Sequence, residues 1–123
     1  MQKKGNVDFM LRNCILRNSD GEKIFQIEIA DTFAKRFLGL MGRKKIPQGR
    51  GLLIEPCNSI HMFFMRFAID AIYIDENFIV KKVVKNLPAW LGMSICFGAH
   101  AVIEFAAGEA DRLNFRVGSK IIL

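Results

Sequence analysis

The stretch PCNSIHMFFMRFAIDAIYID, from Pro56 to Asp75, decides the fold because it is apolar on both faces. Large apolar side chains occupy ten of its positions. A run of this kind is typical of a strand that is buried on both sides. Each such side chain contributes roughly 1.5–3 kcal/mol when fully buried. We therefore expect this segment to anchor the core of the protein.

Three polar residues interrupt the apolar stretch: His61, Arg66 and Asp70. A buried charge that lacks a partner costs several kcal/mol, so each of these groups needs partners from other elements. Four residues of extended strand span roughly 13 Å. Arg66 and Asp70 therefore cannot pair along a straight strand.

The partners of Asp70 are expected on a helix. Asp31 and Thr32 form an N-cap pair ahead of FAKRFLGLM, whose apolar residues share one helical face. Arg36 and Arg43 are two turns apart on one flank of this helix and are candidates to pair with Asp70.

Glu55 and Glu104 are the candidates to pair with Arg66. Two interpretations of the polar cluster stay open, and they are compatible. The ion pairs could tie the helix to the sheet. Alternatively, the arginines could line a pocket for a carboxylate or phosphate, because the guanidinium group binds both in a bidentate manner.

The composition is that of a packed globular protein, 51% hydrophobic over 123 residues, and predicts one domain over 1–123. No apolar run reaches the length of a membrane span, and the N-terminus lacks the apolar centre of a signal peptide. We therefore expect a cytoplasmic protein, complete from Met1. Three cysteines without paired spacing argue against a disulfide framework.

The predicted fold is mainly β: a compact sandwich or barrel, jelly-roll-like, with one short helix. Roughly seven short strands are expected, beginning with a hairpin from Leu11 to Ile29 around an Asp-Gly turn. The segment FIVKKVVKN, 78–86, is expected to be an outer strand protected by its lysines. The segment 87–98 is expected to be irregular, with Trp90 as a lid over the core or an anchor for a partner.

Four motifs in order, GLMGR (39–43), GLLIEP (51–56), IHMFFMRFAIDAIYID (60–75) and IEFAAG (103–108), resemble the prokaryotic family called domain of unknown function 192. The similarity covers about 24–123, preceded by an N-terminal strand. It implies a compact, mostly β domain related to jelly-roll sandwiches, and it implies no activity. Two positions depart from the pattern: Ala68, where relatives often carry Pro, and Ser119, where they usually carry Asp.

Metal binding and catalysis are weaker interpretations of the same residues. Cys57, His61 and Met65 are soft ligands, but their spacing on a strand prevents them from sharing one ion, so we expect no metal and no cofactor. A hydrolase could use Cys57 or Ser59 with His61 and Asp70, although no supporting nucleophile turn accompanies them.

The net charge of +6 points to an anionic partner. Six basic residues and no acid lie between Lys35 and Arg50, so this segment could bind RNA nonspecifically. We expect a binding domain for a small anionic ligand or an anionic partner surface. The expected site residues are Arg36, Arg43, His61, Arg66, Asp70 and Glu104; the oligomeric state is left open.

Overall fold

The computed structural model describes residues 10–30, 45–62 and 65–123. These residues form nine strands and one short helix, so the prediction of a mainly β fold is confirmed. The elements are β1 Met10–Asn18, β2 Gly21–Ala30, β3 Arg50–Ile54, β4 Ser59–His61, β5 Ile69–Ile74, β6 Val80–Leu87, β7 Met93–Ile95, β8 Ala101–Ala106, α1 Glu109–Arg112 and β9 Lys120–Ile122. The helix predicted from the FAKRFLGLM segment lies outside the described residues, and α1 follows the IEFAAG motif.

Seven strands form one sheet in the order β6-β5-β8-β3-β2-β1-β9, while β4 and β7 pair as a separate ribbon. Neighbouring strands are antiparallel except for β2 and β3, which are parallel. The predicted hairpin is confirmed as β1 and β2, joined through Ser19 and Asp20. Gly21 follows this turn with a φ of +116°, a conformation that glycine adopts without steric cost.

The sheet curls until its two edge strands meet at one corner. Ile79, just before β6, forms a β-bridge with Lys120 of β9. Val80 N donates to Ser119 O at 2.9 Å, and Ile121 N donates to Phe78 O at 2.9 Å. The sheet is therefore a curled half-barrel with an inner and an outer face. This architecture agrees with the predicted sandwich or barrel.

The inner face holds a core to which strands from both halves of the curled sheet contribute side chains. The rings of Phe25, Phe105 and Phe115 lie with centroids 5.1–5.6 Å apart. A Cβ at Gly51 would lie 2.6 Å from Ile103 Cγ2, so the glycine lets β3 approach the neighbouring side chains closely. Ala110 of helix α1 and Leu113, which directly follows the helix, contribute to this core.

The outer face carries a second apolar cluster that includes Leu52, Tyr73 and Val102, and the β4–β7 ribbon contributes Ile60 to it. Strand β5 has the inner core on one side and this cluster on the other, and all six of its residues are buried. The prediction of a strand buried on both faces is confirmed for β5. The central stretch is not one continuous strand, because the chain bends at Arg66 and Phe67 between β4 and β5.

Within 10–30, 45–62 and 65–123, we find no helix with the length and apolar character needed to cross a membrane.

Candidate functional site

Asp70 lies on the inner face of β5 and is 1% exposed. Its carboxylate accepts three backbone hydrogen bonds: Oδ1 from Asn86 N at 2.8 Å, and Oδ2 from Gly108 N at 2.9 Å and Ala110 N at 2.8 Å. Asn86 and Gly108 have positive φ angles of 55° and 98°, so their amides turn away from the regular ladder. Asp70 thereby connects β5, the end of β6 and the start of α1.

These three amides explain how Asp70 is buried. A buried carboxylate is tolerated when hydrogen bonds satisfy both of its oxygens, and charge-assisted bonds from backbone N–H groups are strong. Arg36 and Arg43, the predicted partners, lie outside the described residues. The expectation that Asp70 helps to bind a ligand stays a prediction, whereas its three contacts give it a structural role.

Glu104 lies on the opposite face of the sheet from Asp70. It pairs in register with Leu52 of β3 and with Ala71 of β5, while Asp70 pairs with the neighbouring residue Phe105. Because successive side chains of a strand point to opposite faces, Asp70 and Glu104 are separated by the sheet. Glu104 is buried, at 7% exposure, on the outer face.

A second carboxylate, which was not among the predicted site residues, lies on the outer face. Glu28 of β2 pairs with Leu52, which in turn pairs with Glu104. Glu28 and Glu104 therefore lie on either side of Leu52, separated by about 10 Å, which is two strand spacings. The pairing of β3 with both β2 and β8 places them there, and no local pattern in the sequence signals those pairings.

His61 and Arg66 flank a turn at one end of the β4–β7 ribbon. A hydrogen bond from Met65 N to Met62 O, at 3.1 Å, brings these two backbones together. His61 directly precedes Met62 and Arg66 directly follows Met65, so the two polar residues lie at the same corner, where both are exposed. Of the six predicted site residues, these two are the ones that the described structure places close together.

The ribbon has one covered face and one open face. Ile60 pairs with Ser94, and the Ser94 hydroxyl is 2.6 Å from the hydroxyl of Tyr73 on the sheet below. Burial raises the pKa of Tyr73 to about 12, and the hydrogen bond with Ser94 opposes part of that rise. On the open face, His61 pairs with Met93, and both residues are exposed.

A cavity of about 260 Å³ opens beside the start of the ribbon and is lined by Pro56, Cys57, Asn58, Ala99 and His100. His100 Nε2 is 3.4 Å from Glu55 Oε2, and Cys57 Sγ donates to Ser59 O at 3.0 Å. The side chain of His100 is exposed.

The cysteines of the chain are Cys14, Cys57 and Cys96, and each carries a free thiol. Burial raises the pKa of Cys14 to about 11. Within the described ranges, no group of three His, Cys, Asp or Glu residues is placed to hold a metal ion.

The hydrolase set of Cys57, His61 and Asp70 is not assembled as a triad. Cys57 belongs to the apolar cluster of the outer face, and His61 lies on the ribbon over that face. Asp70 lies on the inner face, where backbone amides occupy both of its oxygens. The carboxylate of a catalytic triad must accept a hydrogen bond from its histidine, which the intervening sheet prevents here.

Comparisons with known proteins agree with this architecture. The profile of domain of unknown function 192, described as "Uncharacterized ACR", matches residues 15–123. The chain therefore belongs to this family, and the resemblance seen in its motifs is confirmed.

Similar sequences carry the name UPF0127 protein. The chain is 37% identical over 101 residues to the one from Pyrococcus horikoshii, covering 78% of this chain and 85% of that protein. It is 33% identical over 115 residues to the one from Pyrococcus furiosus, covering 87% and 95%. The relative from Thermococcus sibiricus is 35% identical over 78% of this chain, but the match spans only 64% of that protein's length.

Two crystal structures share the fold. A protein of unknown function from Novosphingobium aromaticivorans superposes with a TM-score of 0.83 at 23% identity, covering 92% of this chain and 85% of that one. A protein from Sinorhizobium meliloti 1021, proposed as a transcription regulator, superposes with a TM-score of 0.87 at 19% identity, covering 95% and 96%. At these identities the similarity concerns the fold alone.

Proposed function

We propose that the protein is a binding domain for an anionic group, a phosphate or carboxylate carried by a small ligand or by a partner surface. His61 and Arg66 are the residues that contact this group. The observation that carries the proposal is the hydrogen bond from Met65 N to Met62 O, which brings the backbones next to these two exposed residues together at one corner of the ribbon.

The chemistry of the corner suits an anion. A guanidinium group presents a planar fork of donors that matches phosphate and carboxylate, and an imidazole carries at least one N–H donor in either protonation state. Arg66 makes no ion pair with any residue in the described ranges, so ligand binding would not have to break one there. From Pro56 to Ile69 the sequence contains no acid that would repel an anion.

The other predicted site residues have different roles in the proposed site. Arg36 and Arg43, whose basic segment 35–50 is also the proposed contact for nucleic acid, would add positive charge if they reach this corner. Glu104 is buried on the outer face, so it would act on the site only through its electrostatic potential. Asp70 is assigned a structural role because its oxygens are occupied.

Calorimetric titration of the full chain with inorganic phosphate and with a small dicarboxylate tests the proposal. We expect Arg66→Ala to weaken binding about tenfold or more, the usual weight of a hydrogen bond to a charged group. Arg12→Ala is the matched control, because Arg12 is also exposed but lies on β1. Equal affinities of wild type and Arg66→Ala would refute the assignment.

A single-stranded RNA oligomer, titrated at low and at physiological salt, separates the nucleic-acid alternative from the proposed site. Nonspecific RNA binding through 35–50 would fall steeply with salt. It would also be nearly unaffected by Arg66→Ala, whereas binding of phosphate at the corner would depend on that side chain.

A further inference from the structure

The open face of the ribbon exposes a row of large apolar side chains. Leu91, Met93, Ile95 and Phe97, here called the apolar row, are 87%, 71%, 44% and 83% exposed. Met93 and Ile95 belong to β7, and Leu91 and Phe97 lie in the turns on either side of it. The exposure of these four residues alternates with the lower exposure of Gly92, Ser94 and Cys96. Trp90, 51% exposed, precedes them. Several large apolar side chains exposed along one short segment point to an interaction site.

The residues between them are turned the other way. Gly92 is buried, and a Cβ there would lie 2.6 Å from Pro88 O. Ser94 bonds to Tyr73, and Cys96 packs against the outer apolar cluster. Strand β7 and its flanks are thus turned to the sheet by small and polar residues, and their large apolar residues face solvent, whereas β4 contributes its apolar Ile60 to the buried cluster. This inverts the usual pattern of a half-buried strand.

The two segments that form the ribbon carry basic residues and no acidic ones. No acidic residue occurs from Pro56 to Ile69 or from Asn86 to Ile103, the two segments that contain the ribbon. Lys82 reaches the ribbon from β6, where its Nζ donates to Ile95 O at 2.8 Å. His61 lies beside Met93 in register, and Arg66 lies at the adjoining corner. Cations therefore border an apolar surface whose own two segments contain no carboxylate.

We propose that the open face of the ribbon docks onto the surface of an anionic lipid bilayer. The apolar row enters the boundary between headgroups and acyl chains, and Lys82, Arg66 and His61 meet the lipid phosphates. Exposed apolar residues flanked by basic ones are the combination that binds proteins in the plane of an anionic membrane. The inference rests on the proposed function, and it names a lipid phosphate as the anion.

Charge complementarity favours a bilayer over a second copy of the chain. A symmetric dimer through the apolar row would bring two sets of Lys82 and Arg66 together without an acid between them. The net charge of +6 would add to this repulsion. An anionic bilayer supplies both the negative charge and the apolar phase.

The test is sedimentation of the full chain with vesicles of phosphatidylcholine alone and of phosphatidylcholine mixed with phosphatidylglycerol. We expect binding to the anionic vesicles only. Leu91→Ser combined with Phe97→Ser should reduce this binding more than about tenfold, since two large apolar side chains no longer insert. Arg66→Ala should reduce it about fivefold, the usual weight of one basic residue at an anionic surface.

The matched control is Ile24→Ser combined with Val117→Ser, which removes two apolar side chains that are 76% and 68% exposed elsewhere on the protein. This control should bind as wild type does. All four side chains are exposed, so both double variants should fold, which thermal melts would verify.

The inference is overturned if anionic vesicles do not retain the wild type, or if the two double variants bind equally. Self-association in analytical ultracentrifugation that requires Leu91 and Phe97, without vesicle binding, would instead assign the surface to a second copy. The proposed function is judged separately. Phosphate binding that depends on Arg66, without vesicle binding, would refute only the lipid partner, whereas vesicle binding indifferent to lipid charge and to Arg66 would refute anion recognition.

Discussion

Strands β5 and β7 both contain mainly large apolar residues, but β5 is buried and β7 is exposed to solvent. All six residues of β5 are buried, including Ile69 and Ile74 at its ends. In β7, Met93 and Ile95 are 71% and 44% exposed, and the half-buried residue is Ser94. Hydropathy alone would place both strands in the core.

The difference comes from the number of layers that cover each strand. The curled sheet encloses the inner face of β5, and the second apolar cluster covers its outer face. The ribbon is the outermost layer, so only one of its faces is covered. Ser94 takes the covered position because it satisfies the buried hydroxyl of Tyr73. An apolar residue facing solvent beside a polar residue facing inward therefore points to a docking surface.

The largest expected effect is the difference in stability between truncating a side chain of β5 and truncating one of β7. Ile72→Ala should lower the free energy of unfolding by about 4 kcal/mol, because a fully buried side chain leaves a cavity. Met93→Ala should change it by less than about 0.5 kcal/mol, as is usual for an exposed site. Chemical denaturation measures both. Comparable losses in the two variants would mean that the apolar row is covered in solution.

The next largest effect concerns Asp70, the residue that connects β5 to β6 and α1. Asp70→Asn should cost about 3 kcal/mol, because an amide group replaces one oxygen and points its own donors at backbone N–H groups. Asp111→Asn is the control: Asp111 pairs with Lys85 at 2.6 Å, but both side chains are exposed, so its loss should cost less than about 1 kcal/mol. If Asp70→Asn is as mild as the control, the three amides do not depend on the carboxylate.

Much of the inner architecture could be predicted from sequence because it depends on local signals. The alternation in Phe25, Ile27 and Ile29 indicated β2, and the double-sided apolar run indicated β5. The lysines of 78–86 marked β6 as an outer strand, which it is in the sheet order. Each signal reflects a periodicity or a turn that a few consecutive residues determine.

The candidate site depended on pairings that no local pattern contains. Asp70 and Glu104 were placed in one cluster, but the register of β5 with β8 puts them on opposite faces. The partners of Asp70 are backbone amides of Asn86, Gly108 and Ala110, and side-chain types in the sequence carry no information about such donors. The expectation that 87–98 is irregular missed β7, whose short apolar and polar alternation is inverted.

A smaller effect tests how α1 is fixed below the inner core. Glu109 accepts hydrogen bonds from Arg112 and from Gly49 N, and the Arg112 bond foremost holds the pKa of Glu109 below its usual range. A lowered native pKa means that this stability is present above the unfolded value, near 4.5, and is lost as the pH falls through the native value.

Glu109→Gln should therefore cost about 2 kcal/mol at neutral pH and should flatten the decline of stability in acid. Denaturation midpoints between neutral pH and pH values well below 4.5 measure this. No comparable acid dependence is expected to arise from the ribbon, whose two segments lack carboxylates. Parallel pH profiles of wild type and variant would show that Glu109 titrates alike in the native and unfolded states.

The smallest effect probes the contact between the two strands themselves. Tyr73 of β5 and Ser94 of β7 share a hydrogen bond of 2.6 Å, and burial raises the pKa of Tyr73 to about 12. Because Tyr73 is the single tyrosine, its ionisation can be followed by tyrosinate absorbance. Ser94→Ala should raise this pKa further, since the Ser94 bond lowers it, and should cost about 1 kcal/mol of stability. The raised native pKa means that stability is complete below pH 10 and is lost as the pH rises towards 12. A native midpoint near 10 would place the hydroxyl in water, and the ribbon would then not be seated on β5.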